Sequence, residues 1–166
     1  MGMPVNNWDL NSMQGAGGIR SSAHDMLLYL SANLGLTKSQ LSKAMELTHT
    51  PRHDKAGRQI GLGWFIAKGR LGDIYAHGGG TGGYITFAGF VKETGRGVVV
   101  LTNSGSSNSD DIGLHLLDPQ SPLQEVKPDY SYAIRQMIDK DGPAELMEKY
   151  KTLKAENPGK YTLDED

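Results

Sequence analysis

His77-Gly78-Gly79-Gly80-Thr81-Gly82-Gly83-Tyr84 stands between two strand-like runs, Ile74-Tyr75-Ala76 and Ile85-Thr86-Phe87-Ala88-Gly89-Phe90-Val91. Five of the seven residues from His77 to Gly83 are glycine. With no Cβ in the way, such a backbone can approach another molecule closely. An imidazole at the mouth of a backbone with exposed N–H donors is the equipment of acyl-transfer chemistry. Working outward, Leu62–Ala67, Asp73–Ala76, Tyr84–Val91 and Val98–Thr102 read as four strands. The connections at Lys68–Gly72 and Glu93–Gly97 are short enough for hairpins, which predicts an antiparallel meander. Val98-Val99-Val100-Leu101 is apolar on both faces and predicts a central strand covered on both sides.

Helical patterns flank this β region. Ser22-Ala23-His24-Asp25 has the form of a capping box, followed by Met26, Leu27, Leu30 and Leu34 at helical spacing and by Gly35 as a stop. A second helix is expected from Lys38 to about Leu47, capped by Thr37, with Leu41, Ala44, Met45 and Thr48 inward. Ser109–Leu117 reads as a third, with Asp110 and Asp111 in its first turn and Ile112, Leu116 and Leu117 inward. Residues 1–20 and Thr50–Gln59 read as loop. The fold class is therefore α+β, an antiparallel sheet flanked by helices. Three prolines mark residues 119–128 as a linker after a main body spanning 1–118. Residues 129–166 read as a helical hairpin: Tyr130, Ile134, Met137 and Ile138 line one helix, and Pro143 opens another carrying Leu146, Met147, Tyr150 and Leu153. Such a hairpin packs on the body or begins a helical repeat.

The totals exclude several function classes. A chain of 166 residues with net charge −2 and charges of both signs mixed offers no basic face, so no nucleic-acid partner is expected. With no cysteine there is no disulfide, thiolate-ligated zinc or thiol nucleophile. No apolar run approaches a membrane span, and Met1–Trp8 lacks the features of a signal peptide. Gly78-x-Gly80-x-x-Gly83 matches the dinucleotide fingerprint in letters only, because a β-patterned run follows where a helix is required. His49-x-x-x-His53 spans Pro51, which breaks the helix that metal-ligand spacing would need, so both histidines are read as exposed loop residues. No metal and no cofactor is expected.

The segment His77–Asn103 resembles the third active-site box and following strands of the serine β-lactamase and penicillin-binding-protein superfamily, in its class C β-lactamase-like branch. That pattern runs Lys-Thr-Gly or His-x-Gly, then Thr-Gly-Gly-aromatic, a strand, a hairpin and an apolar strand ending in Leu-x-Asn. This chain has His77-x-Gly79, Thr81-Gly82-Gly83-Tyr84 and Val98-Val99-Val100-Leu101-Thr102-Asn103. Gly15-Ala16-Gly17-Gly18-Ile19-Arg20-Ser21-Ser22 and Gly61-Leu62-Gly63-Trp64 resemble the blocks upstream of the box. The likeness covers roughly residues 12–118, and it implies the C-terminal part of a β-lactamase/transpeptidase-like fold.

The resemblance also implies site roles. His77 takes the place of the box lysine, and the Gly80 N–H is the oxyanion donor of this strand; these are the catalytic candidates. Gly78, Gly79, Thr81, Tyr84 and Asn108 are the substrate-binding candidates. The family's nucleophile belongs to a Ser-x-x-Lys motif and a second base to Tyr-x-Asn, but no lysine here has serine three residues before it, and no tyrosine has asparagine two residues after it. The chain is thus expected to be an inactive fragment whose partner is the missing N-terminal part of the same catalytic domain. The implied parent is a serine hydrolase acting on a small ester or peptide, periplasmic or secreted. The alternative is a non-catalytic, penicillin-recognising sensor or interaction protein. Two departures from the pattern, His77 for lysine and Gly78 for threonine, favour an ester or peptide over a penicillin, since a hydroxyl suited to a substrate carboxylate is absent.

Overall fold

The computed structural model describes residues 6–55, 58–104, 108–124, 142–145, 147–152 and 155–156. Its contacts divide the chain into two units, residues 1–126 and 127–166. In the first, a 3-10 turn at Asn11–Met13 leads into α1 (Gln14–Gly17), α2 (Ala23–Asn33) and α3 (Ser42–Thr48). Six strands follow: β1 (His53–Lys55), β2 (Arg58–Ile60), β3 (Phe65–Gly69), β4 (Gly72–Thr81), β5 (Tyr84–Val91) and β6 (Arg96–Thr102). Helix α4 (Ser109–Leu117) comes after them. All neighbouring strands pair antiparallel in sequence order, giving the expected meander.

The α2 cap forms as its sequence predicts. The Ser22 hydroxyl accepts from the Asp25 N–H at 3.2 Å and donates to the Asp25 carboxylate at 2.9 Å. Gly35, at φ 73°, takes the left-handed conformation that ends the helix. Helix α3 starts later than expected, at Ser42, and Thr37 does not cap it. Ser39 holds the preceding chain in a turn instead, its carbonyl accepting from the Ser42 hydroxyl at 2.7 Å. Residues 53–55 and 58–60 are paired strands rather than loop, His53 opposite Ile60, and the pairing continues onto β3 through Ile60 and Phe65. Charged side chains masked the alternation there, and pairing to β3 supplies order that local sequence does not.

Two helices cover opposite faces of the sheet. On one face Leu30 of α2 packs with Trp64 and Phe90, joined by Leu34, Tyr75 and Val99. On the other, Leu117 of α4 packs with Phe87 and Val91, joined by Ile74, Ala76, Val98, Val100 and Leu114. Strand alternation sends Phe90 to one helix and Val91 to the other. Strand β6 does contact helices on both faces, yet it is the last strand of the described sheet rather than a central one. On α4 the expected inward residues Ile112 and Leu116 are 38% and 54% exposed, and Leu117 alone of the three is buried. Gly113 causes the rotation: the helix meets β5 there so closely that a Cβ would run into the Phe87 ring.

Asp118, just past α4, receives the Arg70 guanidinium of the β3–β4 turn through Nη2 at 2.5 Å and Nε at 3.1 Å. That pairing, with the Gln120 N–H, holds the Asp118 carboxyl below the usual carboxylate range. Residues 119–124 fold back on α4, where His115 donates from Nδ1 to the Ser121 carbonyl and Asp111 accepts from the Gln124 N–H, both at 2.8 Å. In the second unit, residues 142–145 and 147–152 are helical, with i,i+4 and i,i+3 ion pairs from Lys149 to Glu145 and from Lys151 to Glu148. The helix expected around Tyr130, Ile134, Met137 and Ile138 lies outside the described residues.

His49 overturns its reading as an exposed loop histidine, because it is only 3% exposed. Its ring lies 5.1 Å from Phe90 and 5.2 Å from Tyr75, centroid to centroid. Nε2 lies 2.9 Å from Asn33 Oδ1, while the Asn33 amide donates to the Tyr29 carbonyl, so Nε2 carries the proton. Burial, with a smaller effect of the Lys92 charge, lowers its pKa to about 4. The folded chain therefore favours neutral imidazole. The stability this supplies is complete above pH 6.5 and drains as pH falls from 6.5 to 4, about 3 kcal/mol in all. Urea unfolding across that window is expected to show wild type losing this increment relative to His49→Gln, which keeps a donor for Asn33. Parallel pH curves for the two proteins would contradict the assignment.

Candidate active site

The decisive local feature is that β4 does not stop at the glycines. It continues through His77–Thr81 and turns only at Gly82–Gly83, where Thr81 pairs with Tyr84. Strand β3 accompanies β4 only as far as Ala76, opposite Phe65. From His77 to Thr81 the strand thus has β5 on one side and no described strand on the other. A two-residue hairpin makes Thr81 and Tyr84 a hydrogen-bonded pair, and alternation from there makes Gly78 and Gly80 non-bonded positions against β5. Their N–H and C=O groups accordingly point outward along the uncovered edge.

A cleft of about 500 Å³ opens beside this edge, between β4–β5 and the start of α4. Gly78, Gly79, Gly80 and Asn108 all line it, so the fold brings four of the expected site residues together across some thirty positions of sequence. The other three do not line it. Gly78 shares its face with Ala76 and α4, so alternation places His77 and Gly79 on the opposite face. The exposed His77 ring bends around to the uncovered edge, where Nδ1 meets the Gly78 carbonyl at 2.5 Å and the Phe65 ring lies 5.3 Å away. A carbonyl only accepts, so Nδ1 is the donor in this contact. Thr81 and Tyr84 sit at the hairpin end, and the Trp8 indole rests against Gly82 between them. The Arg20 guanidinium holds that segment through the Trp8 carbonyl at 3.0 Å.

The cleft also contains residues that the sequence reading did not assign to a site: Ser109, Asp110, Asp111, Thr86 and Gln124. Asp110 and Asp111 had a sufficient local reason as acids in a helix first turn. Nothing local shows that α4 sets Asp110 against Gly78.

The protein-family profile described as Beta-lactamase matches residues 2–120, more than two thirds of the chain. The chain belongs to the beta-lactamase family. Solved structures agree at the level of fold. One is described as a class C beta-lactamase, 17% identical at a TM-score of 0.54 over 63% of this chain and 37% of that one. Another is the octameric penicillin-binding protein homologue from Pyrococcus abyssi, 26% identical at a TM-score of 0.55 over 72% of this chain and 28% of that one. The chain spans about a third of the length of these beta-lactamase-like structures. No curated protein sequence matches it. Its antiparallel sheet with helices on both faces is the beta-lactamase/transpeptidase-like α+β fold. Among the described residues, no helix is long and apolar enough to cross a membrane.

Proposed function

We propose that the intact protein is a serine hydrolase that cleaves ester or amide bonds through an acyl-enzyme, and that this chain supplies its oxyanion strand and part of its substrate cleft. The observation that supports this best is the uncovered edge of β4 at Gly78–Gly80, open beside a cleft in a chain of the beta-lactamase family. A serine outside this sequence attacks the substrate carbonyl, and its own N–H and that of Gly80 share the developing negative charge. The ester C–O or amide C–N bond then breaks, the leaving group departs with a proton, and water releases the acyl group. His77 Nε2, free of the contact that engages Nδ1, is the nitrogen able to carry a proton in these steps. Exposed apolar side chains on α2, on α3 and just ahead of it, among them Leu27, Leu28, Leu41 and Leu47, fit a body completed by further protein.

The 166-residue chain is expected to turn over neither an activated ester nor a chromogenic cephalosporin. The intact protein is expected to hydrolyse the ester, to be blocked by a serine-directed acylating agent, and to lose about 10²–10⁴-fold in kcat/KM on His77→Ala. Turnover by the chain alone, blocked by the same agent, would place the nucleophile inside this sequence. An intact protein that is acylated once by a penicillin and never turns over would instead be a sensor.

A further inference from the structure

We propose that the cleft between β4 and α4 binds the cationic, amine-bearing end of a substrate, with Asp110 as its counter-ion. The identity of the bound molecule as a substrate rests on the hydrolase reading above; the charge preference rests on the cleft itself.

Three observations converge on it. First, the position that carries threonine in the Lys-Thr-Gly form of the box is Gly78, so the hydroxyl suited to a substrate carboxylate is gone. Second, the space above Gly78 is taken by a carboxylate: a Cβ built on Gly78 would lie 2.8 Å from Asp110 Oδ1 and 3.3 Å from Oδ2. The absence of a side chain at Gly78 and the placement of the acid thus act at one point, and the charge the cleft presents there is negative. Third, the Ser109 hydroxyl, in a residue 1% exposed on the same cleft wall, has no hydrogen-bond partner. An unsatisfied buried hydroxyl beside a ligand-sized opening is a place for a polar group to bind.

The surrounding charges favour a cation. No lysine or arginine is among the residues lining the cleft. Asp111 is already engaged by the Gln124 N–H. Asp110 has no hydrogen bond or ion pair among the described residues, so its charge faces the opening uncompensated except by the helix N-terminus. An alkylammonium or guanidinium group set against Asp110 gains a charge-assisted hydrogen bond. A carboxylate in the same place meets like charge. The outward-facing backbone of Gly78 and Gly80 lies alongside, so the same molecule can lie along the strand edge.

The test uses the intact protein and three activated esters of matched length: 4-aminobutyrate (cationic), butyrate (neutral) and succinate (anionic). Turnover of the butyrate ester examines the hydrolase reading. The ratio of kcat/KM for the cationic over the anionic ester examines the charge preference. It is expected to exceed one in wild type and to fall by about tenfold or more in Asp110→Asn, an isosteric change that removes only the charge. Butylammonium and butyrate titrated by calorimetry onto the same two proteins give a readout independent of catalysis. Butylammonium binding to wild type that weakens by a similar factor in Asp110→Asn supports the proposal, whether or not any ester is turned over. A wild-type ratio below one, a ratio unmoved by Asp110→Asn, or binding of butyrate rather than butylammonium would overturn it.

Discussion

Gly80→Val in the intact protein is expected to lower kcat about 10²–10³-fold while leaving the protein folded, the loss of one oxyanion donor being worth about 2.7–4 kcal/mol in the transition state. The separation of the two effects follows from the surroundings. A Cβ at Gly80 meets only the tip of Ile85, Cδ1, at 3.3 Å, and that flexible end can move aside. On the other side lies the uncovered edge, so the added branches of valine project where substrate must lie and crowd the N–H. Steady-state kinetics and urea unfolding measured on the same preparation check both halves. Folded enzyme with unchanged kcat would remove Gly80 from the oxyanion site. An unfolded variant would show the position to be structural, and Gly80→Ala would then carry the kinetic comparison.

Phe90→Ala is expected to cost this chain about 3–5 kcal/mol of stability. Phe90 is fully buried, and four aromatic or apolar partners meet on it. Trp64 and His49 approach edge-on with centroids 5.1 Å away, and Tyr75 stacks at 5.1 Å with an interplanar angle of 11°. Leu30 closes the cluster from α2. Removing the ring leaves a cavity bounded by side chains anchored on different elements, which cannot all collapse into it. Since domains of this size are stable by only about 5–15 kcal/mol, the variant should unfold at markedly lower urea. Phe90→Leu, which keeps most of the volume, should fall between the two. A loss under about 1 kcal/mol for Phe90→Ala would mean that this cluster is not the core of the α2 face.

Much of this architecture is written locally. Ser22 and Asp25 specify the start of α2, and Gly35 its end, because a cap needs only groups a few residues apart. The boundaries of β5 and α4 are legible for the same reason, as hydrophobic period and turn residues coincide there. The box His77–Tyr84 with the strand ending at Asn103 is long and specific enough to point to the beta-lactamase family, which the match over residues 2–120 shows.

Other features depend on partners distant in sequence. The β1–β2 hairpin forms by pairing onto β3, and its charged residues carry no period of their own. His49 is an unremarkable histidine until Asn33, Trp64, Tyr75 and Phe90 close around it. Val98–Val100 is apolar because two helices cover its faces, while Leu101 is exposed, and neither says whether another strand lies beyond. In the site, sequence alone determined that a glycine-rich stretch follows His77 and that Asn108 precedes a helix. Only the tertiary structure decided that the strand runs straight through those glycines with no described strand along one edge, that His77 turns away from the cleft, and that Asp110 stands over Gly78. Those outcomes are set by register and by the close approach of α4 at Gly113, and both are fixed by packing between segments that local pattern cannot connect.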